Sequence, residues 1–311
     1  MGEAIIDVSG LGKSFGAVQA VKDLSFQVFK GEIFGFLGPN GAGKTTTINM
    51  LTGLARPDTG TITIGSTDCT SDRTLVQHLM GIVPDESSLY PELTGFENLC
   101  FCGALYGMRK SDREKKAKEL LEKVGLSEAG KRRFGGYSKG MARRLSIAAG
   151  VIHEPPILFL DEPTTGIDVM SARTVRSMLK ELNDRGTTVF ITTHYMEDAQ
   201  RLCDRVAFIN SGKVVRFGTM EELLSEDSEQ VFFSLFPYDG EGPVESMSRL
   251  FPDISFKDQG EGLSAWSSSP IPVGSVVCAL EREGWSVAEA KKVPLTLEDV
   301  FMAITEGGKP L

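Results

Sequence analysis

Nowhere in its 311 residues does this sequence hold an apolar run of membrane-spanning length. Any work at a membrane therefore requires a partner. The opening Met1-Gly2-Glu3-Ala4-Ile5-Ile6-Asp7 has no basic stretch leading into an apolar one, so no signal peptide is expected. Cysteine is scarce: Cys69, Cys100, Cys102, Cys203 and Cys278 are odd in number and scattered. Cys100 and Cys102 lack a second close pair, which argues against a zinc site, and the five are expected to be reduced thiols of a cytosolic protein. Basic charge is in deficit. Lys and Arg number 33 against 42 Asp and Glu, a net charge of −9, which is a poor match for nucleic acid. The basic residues from Arg109 to Lys118 are interleaved with Asp112 and Glu114 and are expected to form a solvated helix face. Internal repeats are absent, so one binding unit per chain is expected.

What is present is an ordinary globular composition, 41% hydrophobic and 24% charged, long enough for two domains. Strands are expected at Ile5–Val8, Leu24–Val28, Ile33–Leu37, Thr61–Ile64, Ile157–Leu160, Thr188–Thr192, Val206–Asn210 and Val214–Phe217. Helices are expected over Phe96–Tyr106, Ser111–Val124, about Met141–His153 and about Met170–Asn183. The first two begin with capping boxes, Thr94 with Glu97 and Ser111 with Glu114. Around Ser225-Glu226-Asp227-Ser228-Glu229 the text turns polar, and a linker is placed there. The remainder reads as a β-α-β-β-α-β succession, a small α+β ferredoxin-like domain, followed by a last helix from about Leu297 to Thr305. The expected domains are thus 1–225 and 226–311.

Gly38-Pro39-Asn40-Gly41-Ala42-Gly43-Lys44-Thr45 fits the phosphate-loop pattern at every fixed position, after an apolar strand and before a helix. Such a loop aims backbone N–H groups into one concavity, and the helix N-terminus adds positive potential. Lys44 is expected to reach the β- and γ-phosphates and the Thr45 hydroxyl to hold Mg²⁺. Asp161-Glu162 ends the apolar strand Ile157–Leu160, and a parallel strand delivers its C-terminal residues to the ligand crevice. Asp161 is suited to orient Mg²⁺, and Glu162 to position and polarise an attacking water. His194 ends the next strand and is placed to contact the γ-phosphate and to hold Glu162 and the water. Ser138 and Gly140, in Tyr137-Ser138-Lys139-Gly140-Met141, precede a helix: taken alone Ser138 reads as its N-cap, and beside the phosphate loop the pair reads as a second anion-binding turn.

In this order the motifs resemble the ATPase subunit of an ABC transporter over roughly residues 1–225. They are the phosphate loop (Gly38 to Thr46), a signature segment (Tyr137 to Met141), the strand ending Asp161-Glu162, the loop Thr165-Gly166-Ile167-Asp168, and His194. The resemblance implies a P-loop NTPase α/β fold. It has a mostly parallel core sheet, an antiparallel N-terminal β subdomain and a helical subdomain at about 86–153. It implies ATP and Mg²⁺ as ligands. It further implies head-to-tail closure of two subunits, with a homodimer expected over a heterodimer. Ser138 and Gly140 would contact ATP bound by the opposite chain, Asp168 would link the two sites, and Phe15 would stack on adenine. A separate membrane-spanning permease would hold the protein peripherally at the cytoplasmic face of the membrane. The region from Asp85 to about Met108, with Leu89, Tyr90, Leu93, Phe96 and Leu99, would face it, although some of these residues belong to the core.

Two departures stand out. The family usually has Gln where this chain has Asp85; a carboxylate there can still bind Mg²⁺ or its water. The signature keeps Ser138 and Gly140 but has Tyr137, Lys139 and Met141 at three other positions. The signature form, the segment Tyr90–Leu99 and the C-terminal Leu297-Glu298-Asp299-Val300-Phe301 resemble the branch that serves type-2 ABC exporters. A soluble ATPase of the family acting on ribosomes or DNA is the alternative. Such members carry two ATPase units or a long coiled-coil insertion, and neither is found here.

Overall fold

The computed structural model describes residues 2–69, 73–224, 229–236, 242–267, 269–293 and 295–305. The expected linker at 225–229 falls almost wholly outside these residues. The chain forms two compact units, residues 1–217 and 218–311.

The first unit opens with a hairpin, β1 (Ala4–Phe15) and β2 (Val18–Phe29), followed by β3 (Ile33–Leu37) and α1 (Lys44–Leu51). Then come β4 (Thr59–Ile64), β5 (Thr67–Asp68), α2 (Arg73–His78) and β6 (Met80–Val83). Three helices follow, α3 (Gly95–Leu105), α4 (Lys110–Lys123) and α5 (Lys139–Gly150). The unit continues with β7 (Ile157–Asp161), α6 (Val169–Asp184), β8 (Thr188–Thr193), α7 (Met196–Leu202) and β9 (Arg205–Asn210), and β10 (Lys213–Thr219) runs across the division. The antiparallel sheet has the order β2-β1-β4-β5, and the larger sheet β10-β9-β3-β8-β7-β6. In the larger sheet β9, β3, β8, β7 and β6 pair in parallel. Strands β3, β7 and β8 are buried at every position, as expected when helices cover both faces of a parallel sheet.

One apolar core joins the inner face of the antiparallel sheet to α1 and the larger sheet. Its centre is aromatic. Phe34 lies 5.7 Å from Phe26 and 5.6 Å from Phe190, and Phe159 lies 5.4 Å from Phe190, between ring centres. Register then sets the site. Leu37 pairs with Thr193, and Asp161 with Thr192, so β3, β8 and β7 end side by side.

The capping box of α3 is formed: Thr94 Oγ1 accepts from the Glu97 amide at 3.2 Å, and Glu97 accepts from the Thr94 amide at 2.8 Å. The one expected for α4 is not. That helix starts at Lys110 after Arg109, which makes no side-chain cap, and the Ser111 hydroxyl donates to Asp112 instead.

The second unit contains α8 (Met220–Leu224), β11 (Glu229–Phe236), α9 (Val244–Leu250), β12 (Ser255–Asp258), β13 (Gly262–Ser267), α10 (Val273–Arg282), β14 (Ser286–Val293) and α11 (Leu297–Thr305). Its sheet order is β12-β13-β11-β14, antiparallel throughout, and the β-α-β-β-α-β succession is the one expected. It has its own core, built on Phe233, Leu263, Val276 and Leu280. Helix α8 packs with α11, so it belongs to this unit although it precedes the expected linker.

Candidate nucleotide site

The loop from Gly38 to Gly43 needs its glycines for different reasons. Gly41 and Gly43 have φ of 80° and 107°, a region that side chains disfavour. A Cβ at Gly43 would also lie 2.6 Å from the Ala20 carbonyl, and one at Gly38 2.2 Å from that of Ile209. Helix α1 begins immediately after, with no side chain capping its N-terminus. Its first amides are therefore available to an anion.

Lys44 is buried and folds back over this loop, donating to the carbonyls of Gly38 at 2.8 Å and Pro39 at 3.3 Å. Its Nζ lies 3.2 Å from Glu162 Oε1. The Thr45 hydroxyl donates to Asp161 Oδ2 at 3.0 Å, and Thr192 donates to Asp161 Oδ1. Glu162 Oε2 accepts from His194 Nδ1 at 2.9 Å and from the Thr165 hydroxyl at 3.0 Å. Its amide donates to the Thr192 carbonyl at 3.0 Å, and its φ is 47°. A non-glycine residue there stores about 1–3 kcal/mol of strain. The strained turn aims a buried carboxylate back at the phosphate loop.

Burial pushes the Glu162 carboxyl up. The His194 hydrogen bond, the Lys44 and His194 charges and the Thr165 hydroxyl outweigh it and hold the carboxyl below its ordinary value. It is thus an anion held ready to accept a proton or orient a water.

The other sequence-predicted residues lie apart from this cluster. Ser138 caps α5, accepting from the Met141 amide at 3.3 Å. Asp168 caps α6, accepting from the Ser171 amide at 2.9 Å and hydroxyl at 2.6 Å, which hold its carboxyl below the usual range. A Cβ at Gly140 would meet Ser171 Oγ at 2.2 Å, so the signature turn and the Asp168 cap pack together. Among the described residues, no hydrogen bond joins Ser138 or Asp168 to the Lys44 cluster. Phe15 is 55% exposed at the end of β1, with Lys13 Nζ 5.5 Å from its ring centre. It is not a core residue. Asp85 meets Arg143, whose Nη2 is 2.7 Å from its carbonyl and 3.3 Å from Oδ1.

Thr192, Arg143 and Ser171 were not expected as partners of the site. Arg143 left a signal: it falls on the same buried stripe of α5 as Ser146, Ile147 and Gly150, where a cation needs a buried partner.

The oxygens of Thr45 and Asp161 suit a hard cation, and none of the described residues form a group of three or more His, Cys, Asp or Glu able to hold a metal ion by themselves. That fits a Mg²⁺ that keeps waters and takes phosphate oxygens as its remaining ligands.

Residues 21–165 match the ABC transporter family. The daunorubicin/doxorubicin resistance ATP-binding protein DrrA of Streptomyces peucetius is 37% identical over 304 residues, 96% of this chain and 92% of that protein. The Nod factor export ATP-binding protein I of Rhizobium sp. (strain N33) is 36% identical over 306 residues, 98% of each. A solved dimeric structure of the ATP-binding cassette MJ0796 in a post-hydrolysis state, bound to ADP and Pi, is 25% identical with a TM-score of 0.63, covering 69% of this chain and 98% of that one. The chain belongs to the ATP-binding subunits of ABC transporters. It is an ATP-hydrolysing subunit of the exporter kind, and the soluble alternative is set aside.

Proposed function

We propose that this chain is the peripheral motor of an exporter, hydrolysing Mg²⁺-bound ATP between two copies of itself to drive a separate membrane permease. One observation carries the chemistry. Lys44, Thr45, Asp161, Glu162 and His194 converge at the ends of three adjacent parallel strands.

The roles of the clustered residues rest on that geometry, and those of Phe15, Ser138, Gly140 and Asp168 on the family resemblance alone. The amides from Gly38 to Thr46, including those of Asn40, Gly41, Ala42 and Gly43, cradle the phosphates, and Phe15 stacks on the adenine. Thr45 and Asp161 would hold Mg²⁺, which when bound would neutralise charge developing on the β- and γ-phosphates. A phosphate oxygen accepting from Lys44 in place of Glu162 leaves Oε1 for the attacking water. Glu162 orients that water and takes its proton, while His194 and Thr165 fix Oε2 and therefore the direction of Oε1. Ser138 and Gly140 serve the γ-phosphate bound by the other copy, and Asp168 ties its own signature turn to that interface.

Among the described residues no helix is long and apolar enough to cross a membrane, so attachment at the cytoplasmic face falls to the permease. Leu89 and Leu99 are core, whereas Tyr90, Phe101 and Leu105 are exposed, at 48%, 38% and 68%. Tyr90 and Phe101 pack edge to face at 5.0 Å. This patch is the permease contact, and it lies within the stretch from Asp85 to Met108.

Glu162→Gln keeps shape and removes the base. Purified variant is expected to bind ATP like wild type and to turn it over about 10²–10⁴-fold more slowly. Unchanged turnover would sink the assignment.

A further inference from the structure

The loop after β6 carries a carboxylate where a neutral amide is usual, and α5 answers it. Arg143 is 8% exposed and makes three donations to that loop: to the Pro84 carbonyl at 2.8 Å, the Asp85 carbonyl at 2.7 Å and Asp85 Oδ1 at 3.3 Å. One turn further along α5, the Ser146 hydroxyl lies 3.0 Å from that of Ser87, which also accepts from the Leu89 amide at 3.3 Å. The segment from Pro84 to Leu89 is thus stapled to one face of α5 at two levels. Asp85 Oδ2 makes no hydrogen bond among the described residues, and its side chain is about half exposed.

The pairing has an electrostatic reason. A guanidinium this buried is costly without a carboxylate beside it, and burial alone depresses its basicity. Its charge also reaches Asp161 and Glu162. An unpaired Asp85 would add a third carboxylate to a region that receives a polyanion.

We propose that Arg143 is a positioning residue that neutralises Asp85 and fixes its loop to α5. The pair then adds no net charge to the cleft, as neutral residues at both positions 85 and 143 would, and one Asp85 oxygen remains free for Mg²⁺ or its water. Because α5 also begins at Ser138 and Gly140, the two nucleotide-facing segments form one mechanical piece. This rests on the reading of the site as an ATP site.

The test is binding of a fluorescent ATP analogue, in EDTA and in excess Mg²⁺, measured in the Glu162→Gln full chain as parent. Arg143→Gln frees the Asp85 charge. In EDTA its affinity is expected to fall about tenfold, the size of one unpaired charge several ångströms from a polyanion at an effective dielectric of about 20. In Mg²⁺ part of the loss is expected to return, because the freed carboxylate now favours the cation. Adding Asp85→Gln to Arg143→Gln is expected to restore the EDTA affinity to within about threefold of the parent. Equal losses in the two conditions without this rescue, or no loss at all, would overturn the proposal. Should Arg143→Gln not fold, Arg143→Lys carries the test: it keeps the charge and is expected to stay within about threefold of the parent in EDTA, and a tenfold loss overturns the inference. A parent that fails to bind ATP would instead remove the ATP-site reading itself.

Discussion

His153 shows how a single side chain sets a pH limit. It follows α5, and its ring stacks on Tyr106 with centres 3.5 Å apart and planes 7° from parallel. Nε2 lies 3.2 Å from the Met80 carbonyl, and the buried Nδ1 has no hydrogen-bond partner among the described residues. Burial pushes its pKa down to about 4, the Met80 carbonyl opposes this, and the neighbouring His78 adds to it. The unfolded chain protonates it near the ordinary 6.5, so between 6.5 and 4 the unfolded state binds more protons. The contribution is complete above pH 6.5 and is lost as pH falls toward 4. Wild type is expected to lose about 1 kcal/mol between pH 6.5 and 5.5 from this group. His153→Phe, which keeps the stack, is expected to remove that part of the pH dependence. Urea midpoints by circular dichroism at the two pH values check it, and equal slopes for both proteins refute it. Tryptophan fluorescence is unsuitable, since Trp266 and Trp285 both lie in the second unit.

Elements place side chains, and α3 does so for the whole loop before it. Asn98, fully buried in α3, accepts from the Tyr90 amide at 2.8 Å and donates to the Tyr90 and Thr94 carbonyls at 3.0 and 3.1 Å. The helix start therefore fixes the exposed Tyr90 as well. Thr94→Ala removes the hydroxyl that caps Glu97 and is expected to cost about 1 kcal/mol. It is also expected to speed amide exchange from Tyr90 to Glu97, while exchange in β3 and β7 stays as it was. Uniform change across the unit would contradict a local role. This capping box was legible in the sequence because both partners lie within three residues of each other. The phosphate loop and Asp161-Glu162 were legible for the same reason, being local patterns at strand ends. The hairpin was under-read. Strand β1 was expected to end at Val8 but runs to Phe15, because register shifts after Val8 and Leu11, and Gly10 at φ 61°, break the alternation that marks a strand. The Arg143 contact with Asp85 spans 58 residues, and no local rule reports its partner.

At the scale of the molecule, what one chain lacks matters most. The Lys44 cluster is joined by hydrogen bonds within the chain, whereas the turn at Ser138 and Gly140, proposed as a second anion site, packs on Asp168 and Ser171 instead. If both helix starts take anions as proposed, a head-to-tail pair would bring the two together across each nucleotide. The net charge of −9 opposes pairing of two copies, so the proposed closure would have to draw on the nucleotide and its cation to bridge the halves. Two consequences follow for the full chain with Glu162→Gln. Its mass by light scattering is expected to double when ATP and Mg²⁺ are added, and to return to the monomer value when the nucleotide is removed. Higher salt is expected to favour the pair by screening like charge, since about 10 Å of screening length at 0.1 M shortens as salt rises. A chain that binds ATP yet stays monomeric at every salt concentration would show that its partner is a different subunit, and the homodimer reading would be dropped while the ATPase assignment stands.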